Sequence, residues 1–273
     1  MEKRREDYVE ANRRAWDEAA PHHRRHAQYD ALLAGFAQPG FSCLDETMTE
    51  RLRALGVAGR DVAQICCNNG RELLSVKNLG AGRCVGFDLS AEFLKQAAEL
   101  AQAGGLDAEF VQSDVYAIPA AYDGVFDLVF VTIGVFGWMP DLAGLFGVVE
   151  RLLRPGGCFL AYEEHPIVNM LEPGQPSSLV HSYFKPEPFA EAESMDYFGD
   201  TAYEAPVSYW FVHPLSAIVT ACLDRGLVLE HLHEYPHNIA ETAKDVFEDQ
   251  AAQLPLSYSL VARKAPVDEP WGK

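Results

Sequence analysis

The stretch Asp61-Val-Ala-Gln-Ile-Cys-Cys-Asn-Asn-Gly70 decides how the chain is read. A short apolar run stops at a polar turn, and Arg71 to Leu79 follows with helical spacing. A run of that length bounded by turn residues predicts a buried strand. A strand that turns straight into a helix offers free backbone N–H groups and the positive end of a helix dipole to an anion. Dinucleotide pyrophosphate needs G-x-G-x-x-G so that backbone can approach closely, and a P-loop needs G-x-x-x-x-G-K-[ST]. Neither is present, and Gly70 is the single glycine of the turn. The turn suits a smaller anionic end, such as an amino-acid carboxylate, and disfavours a nucleotide-dependent oxidoreductase. Gly70 itself is expected to need a positive φ or close ligand approach.

The same rhythm continues outward. Further strands are predicted over residues 83–87, 108–112, 126–131, 158–162, 227–233 and 256–263. Helices are predicted over 71–79, 91–103, 141–153 and 215–225, with Ser90 as a cap and Gly104-Gly105 as a stop. Before the first strand, residues 5–35 read as helical with an interruption at Pro21, and 42–55 as a further helix. Strands alternating with helices of about ten residues imply a doubly wound, mostly parallel, seven-stranded α/β sheet of Rossmann-like type. Such sheets bind ligands beyond the carboxyl ends of their strands. The polar residues that stop strands therefore lie on the ligand side: Asn68, Asn69, Asp88, Asp114, Thr132, Glu163, Glu164 and His165. Asp88 can accept ribose hydroxyls or serve as an anion at a helix start. Asp114 can accept from an adenine amine or stand as a solvated loop aspartate.

Composition narrows the partners. The 273 residues carry 22 Lys+Arg against 40 Asp+Glu, a formal net charge of −18. That field repels nucleic-acid backbones and anionic lipid heads, so neither is expected as a partner. The basic N-terminal cluster around Arg4, Arg5, Arg13, Arg14, Arg24 and Arg25 is interleaved with carboxylates and reads as a solvated helix face. No signal-peptide core is visible, and the apolar run 128–139 is far below the roughly 20 residues of a membrane span. Six scattered cysteines without a CxxC pair read as reduced, buried thiols of a cytoplasmic protein. The vicinal pair Cys66–Cys67 has the alternative of a redox or soft-metal site, but no metal is expected.

Five segments, taken in order, resemble the class I S-adenosylmethionine-dependent methyltransferases. They are Asp61 to Gly70, Val85-Gly-Phe-Asp-Leu-Ser90, Phe110-Val-Gln-Ser-Asp-Val115, Phe126-Asp-Leu-Val-Phe-Val131 and Leu152-Leu-Arg-Pro-Gly-Gly157. The resemblance implies S-adenosylmethionine as cofactor. It places Cys66, Asn68 and Gly70 at the methionine end, Asp88 and Leu89 at ribose, Asp114 and Val115 at adenine, and Thr132 on the same rim. The first segment is a Cys-Asn-Asn-Gly variant, with Gln64 where the family usually has an acid and with Cys66 and Asn68 where it usually has glycines. A cofactor-binding protein without catalysis is the alternative this variant prompts.

The acceptor is expected to be a small organic molecule methylated at O, N or C. The DPPY-like segment of enzymes that methylate nucleic-acid amino groups is missing, with Thr132-Ile-Gly-Val-Phe-Gly-Trp138 in its place. His165 is the candidate general base, because an imidazole titrates near neutrality. Its other reading is a histidine that orders the Pro166 loop. His213 and Glu164 are the alternatives for catalysis, and Glu163 and Glu164 should point in opposite directions. Trp16 is read as core packing. Residues 1–58 are expected to form a helical lid, 59–165 the cofactor-binding half, and 166–212 an aromatic- and proline-rich insertion on the substrate side. Residues 213–264 complete the core and 265–273 form a tail. A homodimer is left open.

Overall fold

A computed structural model describes residues 3–172, 178–196, 201–240 and 247–266. The expected alternation is present. Strand β1 (Val62–Ile65) runs into helix α4 (Arg71–Asn78), β2 (Cys84–Asp88) into α5 (Ala91–Gly104), and β3 (Glu109–Gln112) into β4 (Phe126–Thr132). The short α6 (Val135–Trp138) and α7 (Leu142–Leu152) lead to β5 (Leu153–Glu164). Further along the chain come α8 (Leu215–Leu223), β8 (Leu227–Tyr235) and β9 (Ser257–Lys264). The strands form one seven-stranded sheet in the order β3-β2-β1-β4-β5-β9-β8. Pairing is parallel from β3 through β5, while β9 runs antiparallel to both neighbours.

Both faces of the sheet are covered, which is why its central strands are apolar without alternation. In β4, Val129 and Val131 face the cluster that holds Leu145, Phe146 and Val149 of α7. Leu128 and Phe130 face the opposite cluster with Leu73 and Val76 of α4. That second cluster also takes Met48 and Leu52 from α3 (Glu46–Ala54), whose N-cap Asp45 accepts from the Met48 amide at 2.7 Å. Chain reversal falls at β1–β4, so the carboxyl ends of β1, β2 and β4 surround the switch point where such sheets take ligands.

Two expectations shift. The N-terminal helix α1 (Arg5–Arg25) runs straight through Pro21 and breaks at His26, whose Nδ1 caps α2 (Ala27–Phe36) by accepting from the Gln28 amide at 3.2 Å. Proline inside a helix forfeits one amide bond, and here the surrounding packing tolerates that loss. The segment expected to be an insertion carries a small antiparallel ladder, β6 (Phe189–Glu191) with β7 (Ser208–Trp210), which its prolines hid from a periodicity reading. Tyr197, Phe198, most of the tail and residues 241–246 of the connection before β9 lie outside the described residues.

Candidate active site

The turn after β1 is left-handed at three points: Cys66 (φ 54°), Asn68 (φ 49°) and Gly70 (φ 71°). Left-handed backbone is costly for most side chains, and asparagine is among the residues that tolerate it. Asn68 also accepts the Asn69 amide on its own Oδ1 at 2.7 Å. The Cys-Asn-Asn-Gly sequence thus forms a turn with three positive φ angles and a single glycine. Gly70 has the positive φ that was one of the two expectations for it, and its surroundings add a packing constraint. A Cβ there would meet the Phe110 ring at 2.7 Å and Ala97 at 3.0 Å, and Gly70 does not line the cavity beside the turn. Its positive φ is present, but its lack of a side chain serves packing against β3 and α5. Behind the turn, the space at Gly70 is filled by Phe110 and Ala97.

Asp88 fastens the turn to β2. Its Oδ2 accepts from the Asn68 amide at 2.7 Å and its Oδ1 from the Ser90 amide at 2.8 Å. Burial pushes its carboxyl up to about 6, against the pull of those amides. One side of Asp88 opens on the cavity. Ser90 in turn donates to Asp17 of α1 at 2.6 Å, tying the N-terminal helix to the site. Asp114 accepts from the Tyr116 amide at 3.0 Å and sets the tight turn that presents Val115. Gln64 is 1% exposed, its Nε2 donates to Thr132 Oγ1 at 3.1 Å, and its Oε1 has no hydrogen-bond partner. A buried carbonyl oxygen left unpaired on a cavity wall is an acceptor awaiting a donor.

These residues meet in one cavity of about 670 Å³. Cys66, Asn68, Asp88, Leu89, Asp114, Val115 and Thr132 all line it, as does Gln64. The far wall comes from α1 (Asn12, Trp16), from Trp138, and from the insertion (Phe189, Met195, Trp210). Trp16, read as core from sequence, is a wall residue. Asn12 clasps the two parts of that wall together. Its Nδ2 donates to the Tyr209 carbonyl at 3.0 Å and its Oδ1 accepts from the Tyr209 amide at 2.7 Å. His23 Nε2 lies 2.7 Å from the Met195 carbonyl and adds a second tie.

The catalytic candidates separate cleanly. His165 is 5% exposed and does not line the cavity. Its Nδ1 accepts from the Ile167 amide at 3.1 Å, and its Nε2 stands 2.9 Å from Glu234 Oε1 on β8. Burial lowers its pKa, with Glu234 opposing. The imidazole caps the turn over Pro166–Met170, the arrangement the loop-ordering alternative calls for. His213 is held 2.8 Å from the Met139 carbonyl and lines a separate space of about 30 Å³. Glu164 lines the large cavity. Glu163 points the other way as expected, and it carries a role the sequence did not reveal. It is buried and accepts from the amides of Gly134 (2.5 Å) and Val135 (2.9 Å), holding the left-handed turn Ile133–Gly134 that ends β4. Burial raises its carboxyl to about 8. The Cys66 and Cys67 thiols are pushed well up by burial and by Asp88, so they stay protonated at neutral pH and are poor metal or redox groups.

A doubly wound sheet with an antiparallel strand near one edge, and a cavity over the ends of β1, β2 and β4, defines the Rossmann-like class. Within it, residues 62–157 match the family described as Methyltransferase domain. The chain is 32% identical over 114 residues to the demethylmenaquinone methyltransferase of Thermus thermophilus, covering 41% of this chain and 51% of that one. It is 30% identical over 105 residues to the ubiquinone biosynthesis O-methyltransferase of Pectobacterium atrosepticum, covering 38% and 43%. The matched part thus spans about half the length of these relatives or less. A solved S-adenosylmethionine-dependent methyltransferase from Mesorhizobium loti superposes with a TM-score of 0.53 at 21% identity, covering 79% of this chain and 96% of that one. The chain shares the Rossmann-like fold of that solved protein.

Proposed function

We propose that the chain is an S-adenosylmethionine-dependent methyltransferase acting on a small organic acceptor. The observation that carries this is the meeting of Gln64, Asn68, Asp88 and Asp114 in one cavity inside the segment that matches a methyltransferase domain. The donors and acceptors present suit that cofactor. The unpaired Gln64 Oε1 offers a partner to an α-ammonium group, which replaces the usual acid by a neutral acceptor. Asp88 is read as the acceptor of the ribose hydroxyls, with Leu89 beside it. Asp114 is read as the acceptor of the adenine amine, with Val115 against the ring. Cys66 and Thr132 complete the wall.

S-adenosylmethionine supplies a methyl group on a positively charged sulfur, already activated toward a nucleophile. The residues of the chain are left with placement and exclusion of water, which supply much of the rate in such a displacement. Trp16, Trp138 and Trp210 are read as the walls that keep the acceptor in line. Glu164 is read as the group that takes a proton when the acceptor must lose one. His165 is then a positioning residue for the 166–170 turn. Residues 1–58 serve as the lid, 59–165 with 213–264 as the core, and 166–212 as the acceptor-side insertion. A net charge of −18 argues against a nucleic-acid partner, free cysteines suit the cytoplasm, and a homodimer is compatible with the reading.

Calorimetry with S-adenosylmethionine, S-adenosylhomocysteine and NAD tests the assignment. The two sulfur compounds should bind and NAD should not. Asp88→Ala should weaken S-adenosylmethionine by about 1.5–3 kcal/mol, the usual range for hydrogen bonds to a charged group. Unchanged affinity in a folded variant removes Asp88 from the site.

A further inference from the structure

The acceptor half of the cavity has a lining of unusual chemistry. Three tryptophans from three separate segments meet there: Trp16 of α1, Trp138 of α6 and Trp210 of β7. Trp16 and Trp138 stand edge to face at 5.1 Å between centroids, and Trp138 and Trp210 do so at 5.0 Å. The arrangement is built in. Trp210 Nε1 donates to Asn169 Oδ1 at 2.7 Å, the Phe211 amide donates to the Gly137 carbonyl at 2.7 Å, and the indole leaves no room for a Cβ on Gly137. Phe189 adds a fourth ring to the lining.

Around these rings stand carboxylates. Glu164, Glu172, Glu191 and Glu193 line the same half, and His181 is the one basic side chain among the described residues there. Arg71, on the cofactor side, is ion-paired with Glu72 at 2.7 Å. Glu191 is close enough to Glu193 for its carboxyl to be raised, first by burial and then by that neighbour, with His181 opposing. A single exposed carboxylate contributes little. Several of one sign around a low-dielectric cleft focus their field into it.

We propose that the acceptor is a small molecule carrying an ammonium group on an aromatic or apolar body, held by the tryptophan faces and the ring of carboxylates. The inference rests on the methyltransferase reading above. A cation gains from both features, because indole faces attract positive charge and the carboxylates add to that attraction. A neutral acceptor gains from the rings alone. An anionic one meets the carboxylates and is repelled.

Matched probes that differ only in the tail decide it. Tyramine, tyrosol and 4-hydroxyphenylacetate form one set, and tryptamine, tryptophol and indole-3-acetate the other. Each is titrated into protein saturated with S-adenosylhomocysteine, followed by calorimetry and tryptophan fluorescence. In at least one set the ammonium probe should bind roughly tenfold tighter than its alcohol, with the carboxylate weakest. The gap should narrow at high salt and in the Glu191→Gln/Glu193→Gln double variant. Bound S-adenosylhomocysteine together with equal or tighter binding of the alcohols or carboxylates, or with no binding of either amine, overturns the inference and leaves the methyltransferase reading standing. Failure of S-adenosylhomocysteine itself to bind overturns both.

Discussion

At the scale of single residues, Asp88 carries the most testable chemistry. A carboxylate accepts hydroxyl donors better than the protonated acid, which must spend an oxygen on its own proton. With its carboxyl raised to about 6, the ionised fraction is nearly complete at pH 7 and about one-tenth at pH 5. Cofactor affinity should therefore fall roughly tenfold from pH 7 to pH 5 and change little above pH 7. Calorimetry across that range checks it, and Asp88→Asn should bind weakly with that pH dependence removed. The direction follows from the shift. A group that must be ionised to bind loses affinity as pH drops through its own pKa.

At the scale of elements, the turn between β1 and α4 is braced from behind. Gly70→Val would drive a branched side chain into Phe110 and Ala97 from a left-handed backbone. Overpacking of that kind costs about 1–3 kcal/mol and the backbone about 1–2 more. Thermal unfolding should drop by roughly 5–15 °C, as expected for a chain of this length. An unchanged melting temperature with abolished cofactor binding would instead place Gly70 against the ligand. The contrast shows what was legible in the sequence. Strand ends such as Asp88 and Asp114 could be placed because a parallel sheet sends every strand end to one side. His165 sits at a strand end too, yet it turns away, because Ile167 and Glu234 claim its two nitrogens. Neither partner is visible from spacing, since Glu234 arrives on β8 from 69 positions later. Glu163 was hidden for the same reason: its partners are backbone amides of the turn after β4. The tryptophans came from segments with no shared period, and only tertiary folding gathers them.

At the scale of the whole molecule, the cavity is walled by two parts of the chain that Asn12 and His23 tie together. Asn12 is 4% exposed and makes a paired contact with the Tyr209 backbone. Asn12→Ala would leave the half-buried amide and carbonyl of Tyr209 without their side-chain partner, at a cost of up to about 1–3 kcal/mol. That cost falls on the joint between α1 and β7. Limited proteolysis within residues 178–210 should quicken by about tenfold or more, while the melting temperature of the core moves by only a few degrees. S-adenosylhomocysteine should slow the cleavage again if the closed arrangement is the one that holds it. Equal cleavage rates for variant and parent would show that the clasp does not govern opening.

The brace at the site also bears on how the protein ages. Asn69-Gly70 is the kind of pair most prone to spontaneous deamidation, in which the glycine nitrogen attacks the asparagine side-chain carbonyl carbon and ammonia leaves. Here the Gly70 nitrogen is engaged, donating to the Cys67 carbonyl at 2.8 Å, and Asn69 is buried with its Oδ1 turned to the Arg71 amide at 3.4 Å. The reaction needs that nitrogen released and the side chain swung back over it, which the folded turn prevents. An aspartate or isoaspartate at position 69 would then be a chemical record of molecules that have, at some moment, been unfolded.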